Sequence, residues 1–125
     1  MIQEIPAASL DPRKFIEEQV RAIRDAVGQN PAINALSGGV DSAAVTMIGH
    51  KALGDGLKTF FVQNGLMREG EPERIVAIFR ELGVHVQLVD ARDEFLSALK
   101  GIRDPEEKRE AITQTFYKKV FGRLV

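Results

Sequence analysis

Six residues, Ser37-Gly38-Gly39-Val40-Asp41-Ser42, constrain this chain more than any other part of it. They follow the apolar run Ile33-Asn34-Ala35-Leu36 and precede Ala43-Ala44-Val45-Thr46-Met47-Ile48, small and apolar residues suited to a buried helix. The order predicts a strand, a glycine turn and a helix N-terminus. Paired glycines let the backbone turn tightly and admit a ligand where a Cβ would block it. The first turn of a helix has unpaired N–H groups and a partial positive charge, so an anion is favoured there. Ser37 and Ser42 add hydroxyl donors. Asp41 puts a carboxylate among groups that attract anions, which makes chemical sense where a cation such as Mg2+ lies between it and phosphates. A capped turn without a ligand is the plain alternative, since Ser, Asp and Gly are common helix starters. Two adjacent glycines between Ser and Asp-Ser, directly after an apolar strand, favour the phosphate cradle.

The rest of the chain supplies a scaffold for such a loop. Asp11-Pro12 starts a helix, with Asp as cap and Pro at the first helical position, where its missing N–H costs nothing. Phe15, Ile16, Gln19, Val20, Ile23 and Val27 fall near one face of it, and Gly28 is its stop. Pro31 to Leu36 reads as a strand and Asp41 to about Leu53 as a helix, broken by Gly54-Asp55-Gly56. Leu57 to Val62 reads as a second strand, its apolar end Phe60-Phe61-Val62 typical of a strand covered on both faces. Glu71-Pro72 opens a third helix that ends at Gly83, and Val84 to Val89 reads as a third strand. Helices then run to the end: Arg92 to Lys100, stopped by Gly101, and a last one begun by Asp104-Pro105 with Glu107 in near capping-box position. Ile112, Phe116 and Val120 line one face of the last helix, and Tyr117 with the phenylalanines reads as core.

Strand, helix, strand, helix, strand implies an α/β fold: a parallel sheet with right-handed crossovers and helices on both faces. Ligands in such sheets bind beyond the carboxyl ends of the strands, where the glycine loop falls. The chain divides into an N-terminal arm, residues 1–10, and a nucleotide-binding domain over residues 11–125. With three strands the sheet is incomplete. Its open edges and the abrupt end at Val125 lead to the expectation of a fragment of a larger enzyme, or of a second chain that covers the edge.

Composition narrows the function classes. The 17 basic and 18 acidic residues leave a formal charge of −1, with no electrostatic case for nucleic acid or an anionic membrane. Without cysteine there is no disulfide framework, thiolate metal site or catalytic thiol. No apolar stretch is long enough to span a bilayer and Met1 to Leu10 is no signal peptide, so a cytoplasmic location is expected. His50 and His85 fall in different elements with no second histidine near either, which argues against a catalytic or metal role.

The loop is neither G-x-x-x-x-G-K-[ST] nor G-x-G-x-x-G. It resembles the Ser-Gly-Gly-x-Asp-Ser pyrophosphate loop of the ATP pyrophosphatases, the PP-loop superfamily, whose fold is Rossmann-like (adenine nucleotide alpha hydrolase-like). Three further segments resemble the ATP pyrophosphatase part of GMP synthase in the same order. These are Phe61-Val62-Gln63-Asn64-Gly65-Leu66-Met67-Arg68, Asp93 to Gly101, and Asp104-Pro105-Glu106-Glu107-Lys108-Arg109. The opening Phe15-Ile16-Glu17-Glu18-Gln19-Val20 is similar to the start of that domain where it is encoded apart from the glutaminase.

The resemblance implies ATP and Mg2+ as cofactors and adenylation of xanthosine monophosphate. Ammonia from a glutamine amidotransferase domain or subunit would then displace AMP and leave GMP. It implies pyrophosphate binding by Ser37, Gly38, Gly39, Val40, Asp41 and Ser42, metal binding by Asp41, and adenine binding by the backbone around Val62. Arg68 is a candidate near substrate or phosphates, against the plain reading of a solvated loop charge beside Glu69 and Glu71. Three departures from the family pattern stand out: Gln63 where many members have Asp, Ala111-Ile112-Thr113-Gln114 in place of an Ile-Gly pair, and the basic Tyr117-Lys118-Lys119. The family pattern continues into two more strands, a lid bearing Lys and His, and a dimerisation domain, so a homo-oligomer is expected. No catalytic residue is assigned within this chain, and the isolated chain is expected to bind ATP without turnover. Two other readings stand beside this one: a PP-loop enzyme with a different acceptor, amide-forming or sulfur-transferring, and a non-catalytic ATP-binding or assembly module.

Overall fold

The computed structural model describes residues 4–125; Met1, Ile2 and Gln3, part of the expected arm, lie outside the described residues. The rest of that arm is exposed and contains one short 3-10 turn, Ala7–Ser9. Helix α1 (Pro12–Val27) starts where Asp11 Oδ1 accepts the amides of Arg13 and Lys14, and ends at Gly28 with φ of +59°. Its inward face runs through Ile16, Gln19, Val20, Ile23 and Val27, but Phe15 stays 47% exposed, a correction to the core face read from periodicity.

Strand β1 (Ala32–Leu36), helix α2 (Val40–Leu53), strand β2 (Leu57–Gln63), helix α3 (Glu71–Glu81) and strand β3 (Val86–Asp90) follow in turn. The third strand starts two residues later than its apolar run, although Val84 is still buried in the core. The sheet is parallel throughout, in the order β1-β2-β3, with Asn34 opposite Thr59, Leu36 opposite Phe61 and Val62 opposite Val89. Both crossovers step in the same direction, so right-handed connections put α2 and α3 on one face. There Leu36, Phe61, Phe79, Val84 and Val86 form a core, with Met47 of α2 and Ile75 of α3 against it. Helix α1 packs on α2, and Arg24 donates from Nε to Ala52 O at 2.9 Å, satisfying a carbonyl at the end of α2.

The other face is covered by α4 (Arg92–Leu99) and a final helix. Val62, Ala91, Phe95 and Val120 form its core, with Val89, Ile112 and Phe116 beside them. Phe60, Phe61 and Val62 are all buried, and neighbouring Phe61 and Val62 point into different cores, as expected of a central strand covered on both sides. The final helix is not one α-helix. It is α5 (Pro105–Gln114), a π-helical stretch Thr115–Phe121, and α6 (Gly122–Leu124). Its two most buried residues, Thr115 and Val120, are five apart, a spacing that the wider π turn brings nearer to one face than an α turn does. Among the described residues no helix is long and apolar enough to cross a membrane.

Candidate functional site

The glycine loop sits at the carboxyl end of β1, beside the central strand. Its two glycines have separate jobs. Gly38 has φ of +86°, a conformation that side chains rarely adopt, and makes the turn. Gly39 has an ordinary φ of −81° and is the N-cap of α2, so no backbone strain demands glycine there. A Cβ on Gly39 would meet only Ser37 Oγ, at 3.6 Å. Its missing side chain leaves open space over the helix N-terminus. No side chain caps that N-terminus.

Ser37 and Ser42 close the loop on itself. Ser42 Oγ accepts the Ser37 amide at 3.1 Å, lies 2.9 Å from Ser37 Oγ and donates to Gly39 O at 3.1 Å. Val40 and Asp41 occupy the first turn of α2, both exposed, so the Asp41 carboxylate is free to reach a ligand at the loop. The helix begins one residue earlier than its sequence pattern, because Gly39 rather than Val40 serves as the cap.

A cleft of about 410 Å³ opens beside the loop, between the carboxyl ends of β1 and β2 and the final helix. Ser37, Ser42 and Asn64 put polar groups on its wall. The rest is largely apolar: Leu36 and Val62 from the sheet, Phe95 from α4, and Ile112 and Phe116 from the final helix. Thr113 and Tyr117 complete that wall. Tyr117 is 63% exposed and meets Phe116 edge to face, with ring centroids 5.1 Å apart. The core role read for Tyr117 is thus overturned. In the helical pattern its ring belongs with the apolar face, but the widened π turn leaves it at the cleft, where only the tertiary structure puts it.

The structure thus gathers Ser37, Ser42 and Val62 around one space, while Gly38, Gly39, Val40 and Asp41 lie in the turn between the two serines and not on the cleft wall. It does not bring Arg68 onto the cleft wall. Arg68 is exposed, and its amide donates to Glu71 Oε2 at 3.1 Å as α3 begins. Gln63 has a local role: its Oε1 accepts the Gly65 amide at 3.0 Å and shapes the turn after β2. Asn64 does the same for Leu66, at 2.9 Å.

Two features lie elsewhere. His50 and His85 both line a small pocket of about 60 Å³ at the opposite end of the sheet, away from the glycine loop. Among the described residues there is no group of three or more His, Cys, Asp or Glu able to hold a metal by themselves. At the carboxyl end of β3, Arg92 forms a two-pronged pair with Asp90, at 2.9 and 2.6 Å, and this hydrogen bonding lowers the Asp90 pKa to about 2.

No protein-family model matches the chain. A GMP synthase (glutamine-hydrolyzing) subunit of Pyrococcus horikoshii is 53% identical over 108 residues, 86% of this chain and 35% of that protein. The corresponding GMP synthase subunit of Archaeoglobus fulgidus is 50% identical over 115 residues, 92% of this chain and 37% of that protein. The chain spans about a third of the length of these curated relatives. Among solved structures, an NH3-dependent NAD synthetase from Campylobacter jejuni matches with a TM-score of 0.76 at 15% identity, covering 91% of this chain and 52% of that one. A glutamine-dependent NAD+ synthetase from Acinetobacter baumannii, in complex with ADP, matches with a TM-score of 0.75 at 20% identity, over 97% of this chain and 25% of that one. At these identities the likeness concerns the fold.

Proposed function

We propose, on the premise that this chain is a relative of the archaeal GMP synthase subunits within the PP-loop ATP pyrophosphatases, that it is the ATP-binding part of an enzyme of that type. The observation that carries the reading is the polarity of the cleft. Serine hydroxyls lie at one end, beside a helix N-terminus without a side-chain cap, and the rest of the wall is largely apolar, with Asn64 and Thr113 as polar members. A nucleoside triphosphate has the same polarity, with its base and ribose against the apolar walls and its phosphates at the loop.

In this reading Ser37 to Ser42 hold the β and γ phosphates, the backbone at Val62 faces the adenine, and Arg68 reaches phosphates or substrate that protrude from the cleft. Asp41 fits Mg2+ because that ion is usually held by one or two carboxylates together with substrate phosphates, and needs no protein cage. When bound, the ion neutralises phosphate charge. An acceptor oxygen bonds to the α phosphorus as the bond to the bridging oxygen of the β phosphate breaks, and pyrophosphate leaves with that electron pair. The hydroxyls of Ser37 and Ser42 and the amides at the start of α2 favour the step because they hold the group on which charge grows. The acceptor proposed is the C2 oxygen of xanthosine monophosphate. Ammonia from a separate glutamine amidotransferase then displaces AMP to give GMP. That partnership is supported by the names of the relatives, each of which is one subunit of a glutamine-hydrolyzing enzyme.

Thermal unfolding with and without ATP and Mg2+ tests the binding step. The wild type is expected to be protected and Asp41→Ala to lose most of that protection; no shift for the wild type overturns the reading. AMP release by the complete protein with xanthosine monophosphate and ammonium tests the acceptor. Release only with another acceptor would favour a different PP-loop chemistry, a reading motivated by Thr113 on the cleft wall at a departure from the family pattern.

A further inference from the structure

Beneath the loop, on the sheet face that α2 covers, three polar side chains stand where an apolar core would serve. Asn34 and Thr59 are opposite each other in the β1–β2 register, so their side chains share that face. Thr59 is 3% exposed and Thr46, from the second turn of α2, is fully buried. Thr59 Oγ1 donates to Asn34 Oδ1 at 2.7 Å, Asn34 Nδ2 donates to Thr46 Oγ1 at 2.8 Å, and Thr46 Oγ1 donates to Ser42 O at 2.7 Å.

The chain of bonds has one direction. Thr46 has a single hydroxyl proton, and with it committed to the Ser42 carbonyl the oxygen must accept from Asn34. That turns the Asn34 amide so that its oxygen faces Thr59. Buried polar groups cost stability unless paired, and valine or leucine would fill the same space without that demand. What the polar set adds is direction: a hydrogen-bonded network tolerates one rotation and one height of α2 on the sheet, where apolar contact tolerates several. Its last bond ends on Ser42, whose own Oγ binds the Ser37 amide and Gly39 O. A continuous path therefore runs from the central strand to the mouth of the loop.

We infer that Asn34, Thr46 and Thr59 are positioning residues of the phosphate cradle, holding the first turn of α2 so that Ser42 stays aligned with Ser37 in the absence of ligand. The inference rests on the reading of this loop as the site that takes the phosphates of ATP. None of the three touches the phosphates; each acts through Ser42.

The test uses Thr46→Val, which keeps the shape and removes the hydroxyl, and Thr46→Ser, which keeps the hydroxyl. Amide exchange is followed by NMR in the nucleotide-free chain, and binding of inorganic pyrophosphate with Mg2+ by calorimetry. In Thr46→Val the Ser37 amide should exchange about tenfold faster than in the wild type, beyond any change at the β2 amides, and pyrophosphate should bind about tenfold more weakly. Thr46→Ser should restore both. Ser37 exchange that rises no more than β2 exchange, or unchanged affinity in a variant of a wild type that does bind, overturns the inference and leaves the network a stabilising one. A wild type that binds no pyrophosphate strikes the ATP reading alone, because loop order is read without ligand. Should Thr46→Val fail to fold, Thr59→Val breaks the network from its far end and is judged by the same two readouts.

Discussion

Arg123 donates from Nη1 and Nη2 to the two carboxylate oxygens of Glu94, at 3.0 and 2.8 Å, across 29 residues of chain. The pair ties α6, the end of the final helix, to α4, which packs against the π stretch that walls the cleft. The hydrogen bond from Arg123 holds the Glu94 carboxyl below its ordinary pKa, with the nearby Lys119 charge adding to the effect. Arg123→Ala should therefore free the end of the final helix, with amide exchange speeding up over Tyr117 to Leu124 and the melting midpoint falling by less than about 5 °C, since the pair is largely solvated. The tie contributes above the usual glutamate pKa and fades as pH falls below it, so wild type and variant should converge in acid. Equal exchange in both at neutral pH would refute this.

Asp90 offers a direct titration. Its pKa is lowered from 3.8 to about 2, first by the side-chain hydrogen bond from Arg92. The depressed carboxylate contributes stability that is present above the unfolded value of 3.8 and lost as pH falls towards 2. NMR of the Asp90 carboxyl carbon should show a midpoint near 2 in the wild type and a return towards 3.8 in Arg92→Ala. An unmoved midpoint would show that Arg92 is not the cause.

The glycines of the loop should separate under substitution. Gly38→Ala forces a Cβ into φ of +86° and should cost about 1–2 kcal/mol of stability. Gly39→Ala keeps an allowed φ and loses only N-cap preference, about 1 kcal/mol or less. In the proposed reading Gly39→Ala nonetheless weakens ATP binding strongly, because its methyl occupies the approach to the helix N-terminus. Denaturant melts paired with calorimetry distinguish the two; Gly39→Ala with full ATP affinity would remove that role.

Phe95 is 1% exposed and fills the core between β2 and the final helix. Phe95→Ala should cost about 3–5 kcal/mol and loosen the cleft wall as well. A loss under about 1 kcal/mol in chemical denaturation would mean that this face is less well packed than the structure indicates.

Much of this fold could be read from local chemistry. Asp11 and Asp104 accept the amides their positions announce, although the capping box at Asp104 is only half formed: its carboxylate takes the amides of Glu106 and Glu107, and no return bond from Glu107 is present. Phe60-Phe61-Val62 announces a strand covered on both sides, and it lies at the centre of the sheet. The loop was legible because turn, cap and helix start all lie within a few consecutive residues. Tyr117 and Phe15 were misread because a 3.6-residue period says which side chains share a face, and neither how much of that face is covered nor where a π turn shifts it.

By itself, then, the sequence determined the elements, their caps and the glycine loop, all of which depend on neighbours along the chain. The tertiary structure alone decided the strand order, the single face shared by α2 and α3, the cleft wall at Thr113 and Tyr117, and the path from Thr59 through Asn34 and Thr46 to Ser42. The physical reason is register. Asn34 is a lone amide in an apolar strand until pairing sets Thr59 opposite it and packing lowers Thr46 onto it, and no local pattern encodes those meetings.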